Sequence, residues 1–215
     1  YIIERAEAIT RFLMDKGAEV VVIACNTATA AAVKYLREKY PIPFVGMEPA
    51  IKPAALTSRT GVVGVLATAN TFKGSLYHNT LEKFASDVTV IEKVGEGLVE
   101  FVESGQTEGP EVEKVLHKYI DPMLEADADA VVLGCTHYPF LESAIRKIAG
   151  DQVNIINPAP AIALQTQRIL DALEGRKSTS SKCLFYSTGD TSVMRSMVSK
   201  IVPSVPEQAF LTVKA

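Results

Sequence analysis

The chain has 215 residues, 47% hydrophobic and 22% charged, with a formal net charge of −3. That length allows one large domain or two small ones, and the acidic balance argues against a large polyanion, so no nucleic-acid partner is expected. The most apolar stretch, 20–33, is broken by Asn26, Thr27 and Thr29 and is too short to span a bilayer, so no membrane segment is expected either.

No signal-peptide layout opens the chain. Tyr1 to Arg5 already read as the inside of a helix, and further residues upstream of Tyr1 are expected in the natural protein. Apolar positions Ile2, Ala6, Ile9 and Leu13 predict a helix over 2–16 that Gly17 ends. The run Val20 to Ala24 predicts a strand buried on both faces. A helix over 27–39 follows, closed by Pro41 and Pro43, then a strand at 44–46 and a helix near 50–56. Residues 61–67 predict another buried strand, 73–84 a helix, 88–91 a strand, and 95–104 and 111–125 helices. Ala130 to Gly134 predict a strand, 140–149 a helix, 153–156 a strand and 161–173 a helix. The end of the chain predicts a strand at 182–186, a helix at 191–201 and a short strand at 208–213. Alternating strands and helices call for an α/β fold with largely parallel sheets.

Two segments overlay at an offset of 110 residues: Gly17 to Thr27 and Asp127 to His137. Each has an alanine, an acid, four apolar residues, a small residue and then a cysteine with polar neighbours. Open α/β sheets gather binding residues at the carboxyl ends of strands, so Cys25 and Cys135 occupy matched functional positions. If the two halves pack with pseudo-two-fold symmetry, the thiols face each other across a cleft. The competing reading of either cysteine alone is core packing. Cys183, at the start of a predicted strand, is read as structural. With three cysteines and no C-x-x-C pair, reduced thiols in the cytoplasm are expected, with no disulfide framework and no metal. A redox pair would instead require a Cys25–Cys135 disulfide, which a cleft wide enough for an amino acid forbids.

The motifs Ala24-Cys25-Asn26-Thr27-Ala28-Thr29 and Leu133-Gly134-Cys135-Thr136-His137-Tyr138-Pro139-Phe140-Leu141 resemble the two signatures of glutamate racemases. Gly64 to Thr68, Leu98 to Gly105 and Phe185 to Asp190 extend the resemblance over essentially the whole chain, and the last of these is typical of glutamate rather than aspartate racemases. Two departures stand out. The family's early Asp-Ser-Gly and Pro-Tyr-Gly motifs are absent, so these residues are expected to be the family minus its N-terminal quarter, and such a piece would be inactive. Near Val94-Gly95-Glu96 many members carry Cys-Pro.

The resemblance implies two α/β domains with a cleft between them, residues 1–49 plus 158–215 carrying Cys25 and residues 50–157 carrying Cys135. It implies cofactor-independent racemisation of glutamate, supplying D-glutamate for peptidoglycan, in an enzyme that is commonly a homodimer. Aspartate or hydantoin racemisation, and amino-acid binding without turnover, are the alternatives.

The chemistry fits the residues. Moving an α-proton without pyridoxal phosphate needs a base on one face and an acid on the other, and a thiol with an ordinary pKa of about 8.5 can serve as either. Each cysteine precedes a predicted helix, whose first turn favours a thiolate. The resemblance makes His137 the proton partner of Cys135; a surface histidine is the plain alternative. It also places Glu103 near that cysteine, although by itself Glu103 is a charged helix residue. Asn26, Thr27 and Thr136 offer hydroxyl, amide and backbone N–H groups that suit the substrate carboxylate and amino group. Thr68 and Thr71 either join the same pocket or cap a helix. His78 and His117 read as solvated. Gly61 to Gly64 lie inside a strand, which rules out a dinucleotide fingerprint.

Overall fold

The computed structural model describes residues 1–173, 182–202 and 204–213. Helix α1 (Ile2–Asp15) leads into β1 (Val21–Ile23), α2 (Asn26–Lys39), β2 (Phe44–Gly46) and α3 (Ile51–Thr57). Then come β3 (Val62–Ala67), α4 (Ala69–Phe72), α5 (Ser75–Phe84), β4 (Thr89–Val94), α6 (Leu98–Glu103) and α7 (Pro110–Glu125). Strand β5 (Ala130–Gly134), a 3-10 turn (Tyr138–Leu141), α8 (Glu142–Ala149), β6 (Asn154–Ile156) and α9 (Ala159–Ala172) follow. The described chain ends with β7 (Phe185–Ser187), α10 (Ser192–Ile201), a 3-10 turn (Glu207–Ala209) and β8 (Phe210–Thr212). No described helix is long and apolar enough to cross a membrane.

The α/β reading holds, and every described strand pairing is parallel. The largest sheet runs in the order β4-β3-β5-β6, while β1 pairs with β2 and β7 with β8. All five residues of β5 are buried, because helices cover both faces of its sheet. On one side Leu116, Ile120 and Met123 of α7 pack with Leu133, Leu141 and Ile145. On the other, Ile51 and Ala54 of α3 and Tyr77 of α5 pack against Val63, Val65 and Val132. This sheet fixes where the carboxyl end of β5, and therefore Cys135, must lie.

Several local expectations are corrected. Strand β1 is covered on one face only: Val21 and Ile23 pack with α1 and α2, whereas Val22, which alternates to the opposite face, is 39% exposed. The helix read over 73–84 is α5, which begins at Ser75, and a separate short helix α4, capped by the Thr68 side chain, precedes it. The helix read over 95–104 starts only at Leu98, after Gly97 adopts φ +81°. Strand β4 is longer than the 88–91 reading, running on to Val94 beside β3. Cys183 is exposed and precedes β7, which begins at Phe185. The parts of the 158–215 assignment at 174–181, 203 and 214–215 lie outside the described residues.

The repeat extends to the backbone. Gly17 and Asp127, its matched first positions, take left-handed φ values of +85° and +66°. After α1, Ala18 N donates to Leu13 O; after α7, Ala128 N donates to Met123 O in the same way. An added Cβ at Gly17 meets nothing within 4 Å, so conformation alone decides the residue there. Gly17→Ala should therefore lower stability, and Asp127→Gly raise it, each by on the order of 1 kcal/mol in urea titrations. Unchanged midpoints in both would show that the two turns carry no backbone strain.

Candidate active site

Cys25 sits at the N-cap of α2 with extended dihedrals (φ −143°, ψ 123°), its carbonyl accepting from Thr29 N at 2.8 Å. The β1–α2 turn is held by buried Thr29, whose hydroxyl donates to Ile23 O at 3.0 Å and accepts from Met47 N at 3.0 Å. The thiol residue itself is exposed. Next to it, Asn26 is 4% exposed, and its Nδ2 donates to the Gly134 carbonyl at 3.0 Å. That bond joins the residue after one cysteine to the residue before the other. The two motifs of the repeat thus meet in space.

Cys135 follows β5 in a turn closed by Tyr138 N to Cys135 O (3.1 Å) and Phe140 N to His137 O (3.1 Å). The helix read over 140–149 follows, but a 3-10 turn containing Pro139 and the buried Tyr138 and Leu141 comes first, so α8 begins at Glu142. The Tyr138 ring is fully buried, and its hydroxyl donates to Gly95 O at 3.1 Å. Gly95 leaves the room: a Cβ there would lie 2.5 Å from that hydroxyl. The loop after β4 is pinned again by Tyr119, which donates to Glu96 O at 2.9 Å.

His137 is the charged centre beside Cys135. Its Nδ1 lies 3.8 Å from Cys135 Sγ and its Nε2 lies 2.7 Å from Glu103 Oε1. The contact with the Cys135 sulfur, opposed by burial and assisted by Glu103, raises the imidazole to about 9 from its ordinary 6.5. Glu103 is the last residue of α6, with its side chain half exposed. A cavity of about 380 Å³ opens beside this relay, lined by Glu103, Thr136, His137, Phe140, Asp190 and Met194 among others.

The other expected residues divide. Thr27 and Thr136 are half-buried, each next but one or next to its cysteine. Thr68 Oγ1 accepts from Thr71 N at 3.3 Å and pairs with Thr71 Oγ1 at 3.0 Å, so these two cap α4, the plainer of the two readings. His78 is exposed, and His117 faces Asp121 at 2.9 Å on α7. All three cysteines are free thiols. Among the described residues no cluster of three His, Cys, Asp or Glu side chains could hold a metal ion.

Against known families, residues 3–166 match the model described as Asp/Glu/hydantoin racemase. The chain belongs to the Asp/Glu/hydantoin racemase family. Among its relatives in the family, the glutamate racemase of Ralstonia pickettii is 44% identical over 208 residues, covering 96% of this chain and 73% of that one. The glutamate racemase of Pseudomonas syringae pv. tomato is 47% identical over 171 residues, covering 79% and 62%. Solved racemases superpose closely. A glutamate racemase isoform from Bacillus anthracis gives a TM-score of 0.85 at 27% identity, covering 99% of this chain and 80% of that one. Escherichia coli glutamate racemase, solved with L-glutamate and the activator UDP-MurNAc-ala, gives 0.82 at 28% identity, covering 98% and 80%.

Two features of this racemase-family site escaped the sequence. The Asn26–Gly134 bond joins positions 108 residues apart, and no local pattern announces such a pairing. Ser187 and Asp190 line the cavity beside His137. Their segment, 185–190, carried only a resemblance, although its polar cluster after a predicted strand was the signal available.

Proposed function

We propose that the protein interconverts L- and D-glutamate without a cofactor, using Cys25 and Cys135 as paired acid and base. The observation that carries this is the Asn26 Nδ2–Gly134 O bond, which brings the duplicated cysteine turns against each other. Relatives named glutamate racemase, at 44% identity over nearly the whole chain, support glutamate as the substrate.

In one direction the thiolate of one cysteine takes the Cα proton, breaking C–H and forming S–H. The electron pair passes into the α-carboxylate, and the opposite thiol returns its own proton to the other face. The two sulfurs have then exchanged states, and the reverse reaction starts from there. The free N–H groups of the first turn of α2 suit the substrate carboxylate. Thr27 and Thr136 offer hydroxyls beside them. Asn26 Oδ1, buried and without a partner among the described residues, is an acceptor for the ammonium group. His137, held cationic by the sulfur and Glu103, favours the charged form of Cys135 and can relay its proton.

In this reading residues 1–49 plus 158–215 form one α/β domain and residues 50–157 the other, with substrate between them. The enzyme acts in the cytoplasm as a homodimer and feeds peptidoglycan synthesis. The test is solvent-deuterium entry at Cα with the full-length protein, followed by NMR with L- and D-glutamate and with both aspartate enantiomers. Exchange of both glutamates well ahead of aspartate is expected. Exchange confined to aspartate would overturn the substrate, and calorimetric binding of glutamate without exchange would overturn turnover itself.

A further inference from the structure

Helix α6 is only six residues long and carries Glu103 at its last position. Helices this short do not hold themselves together, and final turns fray. The end of α6 is closed by a reversed turn: Gly105 N donates to Val102 O (2.9 Å) and Gln106 N to Phe101 O (2.9 Å), with Gly105 at φ +78°. Bonds of this kind satisfy the last carbonyls but leave the turn's own outward carbonyl unused. That carbonyl, Gly105 O, accepts from Lys200 Nζ at 3.1 Å. Lys200 stands in the last turn of α10, a helix 95 residues further along the chain. Helix α10 is seated independently, since Met197 packs against the core that includes Val102 and Tyr138. It also walls the cavity beside His137 through Val193, Met194 and Met197.

We propose that Lys200 is a positioning residue for proton transfer at Cys135: it clamps the turn at the end of α6 so that Glu103 stays within reach of His137. The placement suits the chemistry. An ammonium group is favoured at a helix C-terminus, where carbonyls carry partial negative charge. Glu103 must be held from outside because, among the described residues, its side chain is bonded to the imidazole it orients and to no second group. The groups facing His137 are Cys135 and Glu103, with Asp190 across the cavity tied to Ser192 at 2.7 Å. Losing the clamp lets Glu103 swing to solvent, and His137 then supports a charged sulfur less well.

The inference rests on the relay reading of Glu103 and His137, and the test separates the two. Iodoacetamide alkylation at pH 8 is followed peptide by peptide on the full chain, with exposed Cys183 as the internal reference. Glu103→Gln should slow Cys135 alkylation, and Lys200→Met should slow it by about threefold or more, with Cys183 unchanged. Lys200→Arg, which keeps a donor of similar reach, should restore at least half of the parent rate. Slowing by Glu103→Gln but not by Lys200→Met would overturn the clamp and leave the relay standing. No slowing by Glu103→Gln would overturn the relay and the clamp with it.

Discussion

Cys135→Ser should abolish measurable racemisation in both directions, and Cys25→Ser should do the same. A positioned acid or base contributes on the order of 10²–10⁴ in rate, so each variant should fall by at least that factor. A serine hydroxyl at the same point is too weak an acid to supply an alkoxide at neutral pH. Both directions must fail together because the two enantiomers have equal free energy in solution, which ties their kcat/KM values to each other whichever thiol is removed. Both side chains are accessible, Cys25 exposed and Cys135 half-buried, so folding should survive either change. The check is polarimetry alongside thermal unfolding. Activity within tenfold of the parent in a folded Cys25→Ser or Cys135→Ser protein would remove that thiol from the mechanism.

The second large effect concerns pH. His137 is held near 9 chiefly by the Cys135 sulfur and then by Glu103. Its folded value lies above the unfolded one, so its contribution to stability is complete below about 6.5 and is lost as pH rises from there through about 9. The folded imidazole keeps its proton until about 9, and the alkaline limb of kcat/KM should lie there. Glu103→Gln removes the negative partner 2.7 Å from Nε2. The alkaline limb should then move toward neutrality, and the rate at pH 8.5 should drop by about tenfold or more. The pH dependence of stability between 6.5 and 9 should flatten in parallel. An alkaline limb that stays in place would mean that Glu103 does not act through His137.

The fold was largely legible because its signals are local. Continuous apolar runs such as Ala130 to Gly134 mark strands covered on both faces, and the matching Gly17 and Asp127 turns mark where each repeat unit begins. Where the reading failed, the deciding contact lay elsewhere in the chain. Val22 looks buried from its neighbours, yet it is exposed because coverage depends on what packs on its face of the sheet, which is opposite the face that holds Val21 and Ile23. The helix read from 140 begins at Glu142, because the buried Tyr138, bonded to Gly95, holds a 3-10 turn before it. The candidate site shows the same division. Cys25 and Cys135 stood out by repetition, and His137 through the resemblance its motif carries. Glu103 entered only through the resemblance, being on its own a charged helix residue, and its 2.7 Å contact with His137 and the Lys200 bond lie beyond any local pattern. Thr68 and Thr71 had two readings in the sequence, and their mutual hydrogen bond favours the cap.

The central claim is that two different sulfurs work on opposite faces of one carbon. The most direct test is the isotopic content of both enantiomers in the first few per cent of conversion of L-glutamate in D2O. Two opposed groups predict D-glutamate carrying deuterium at Cα while the unreacted L-glutamate keeps its protium. D-glutamate that retains the original proton would mean a single base carrying it across, and would contradict the account.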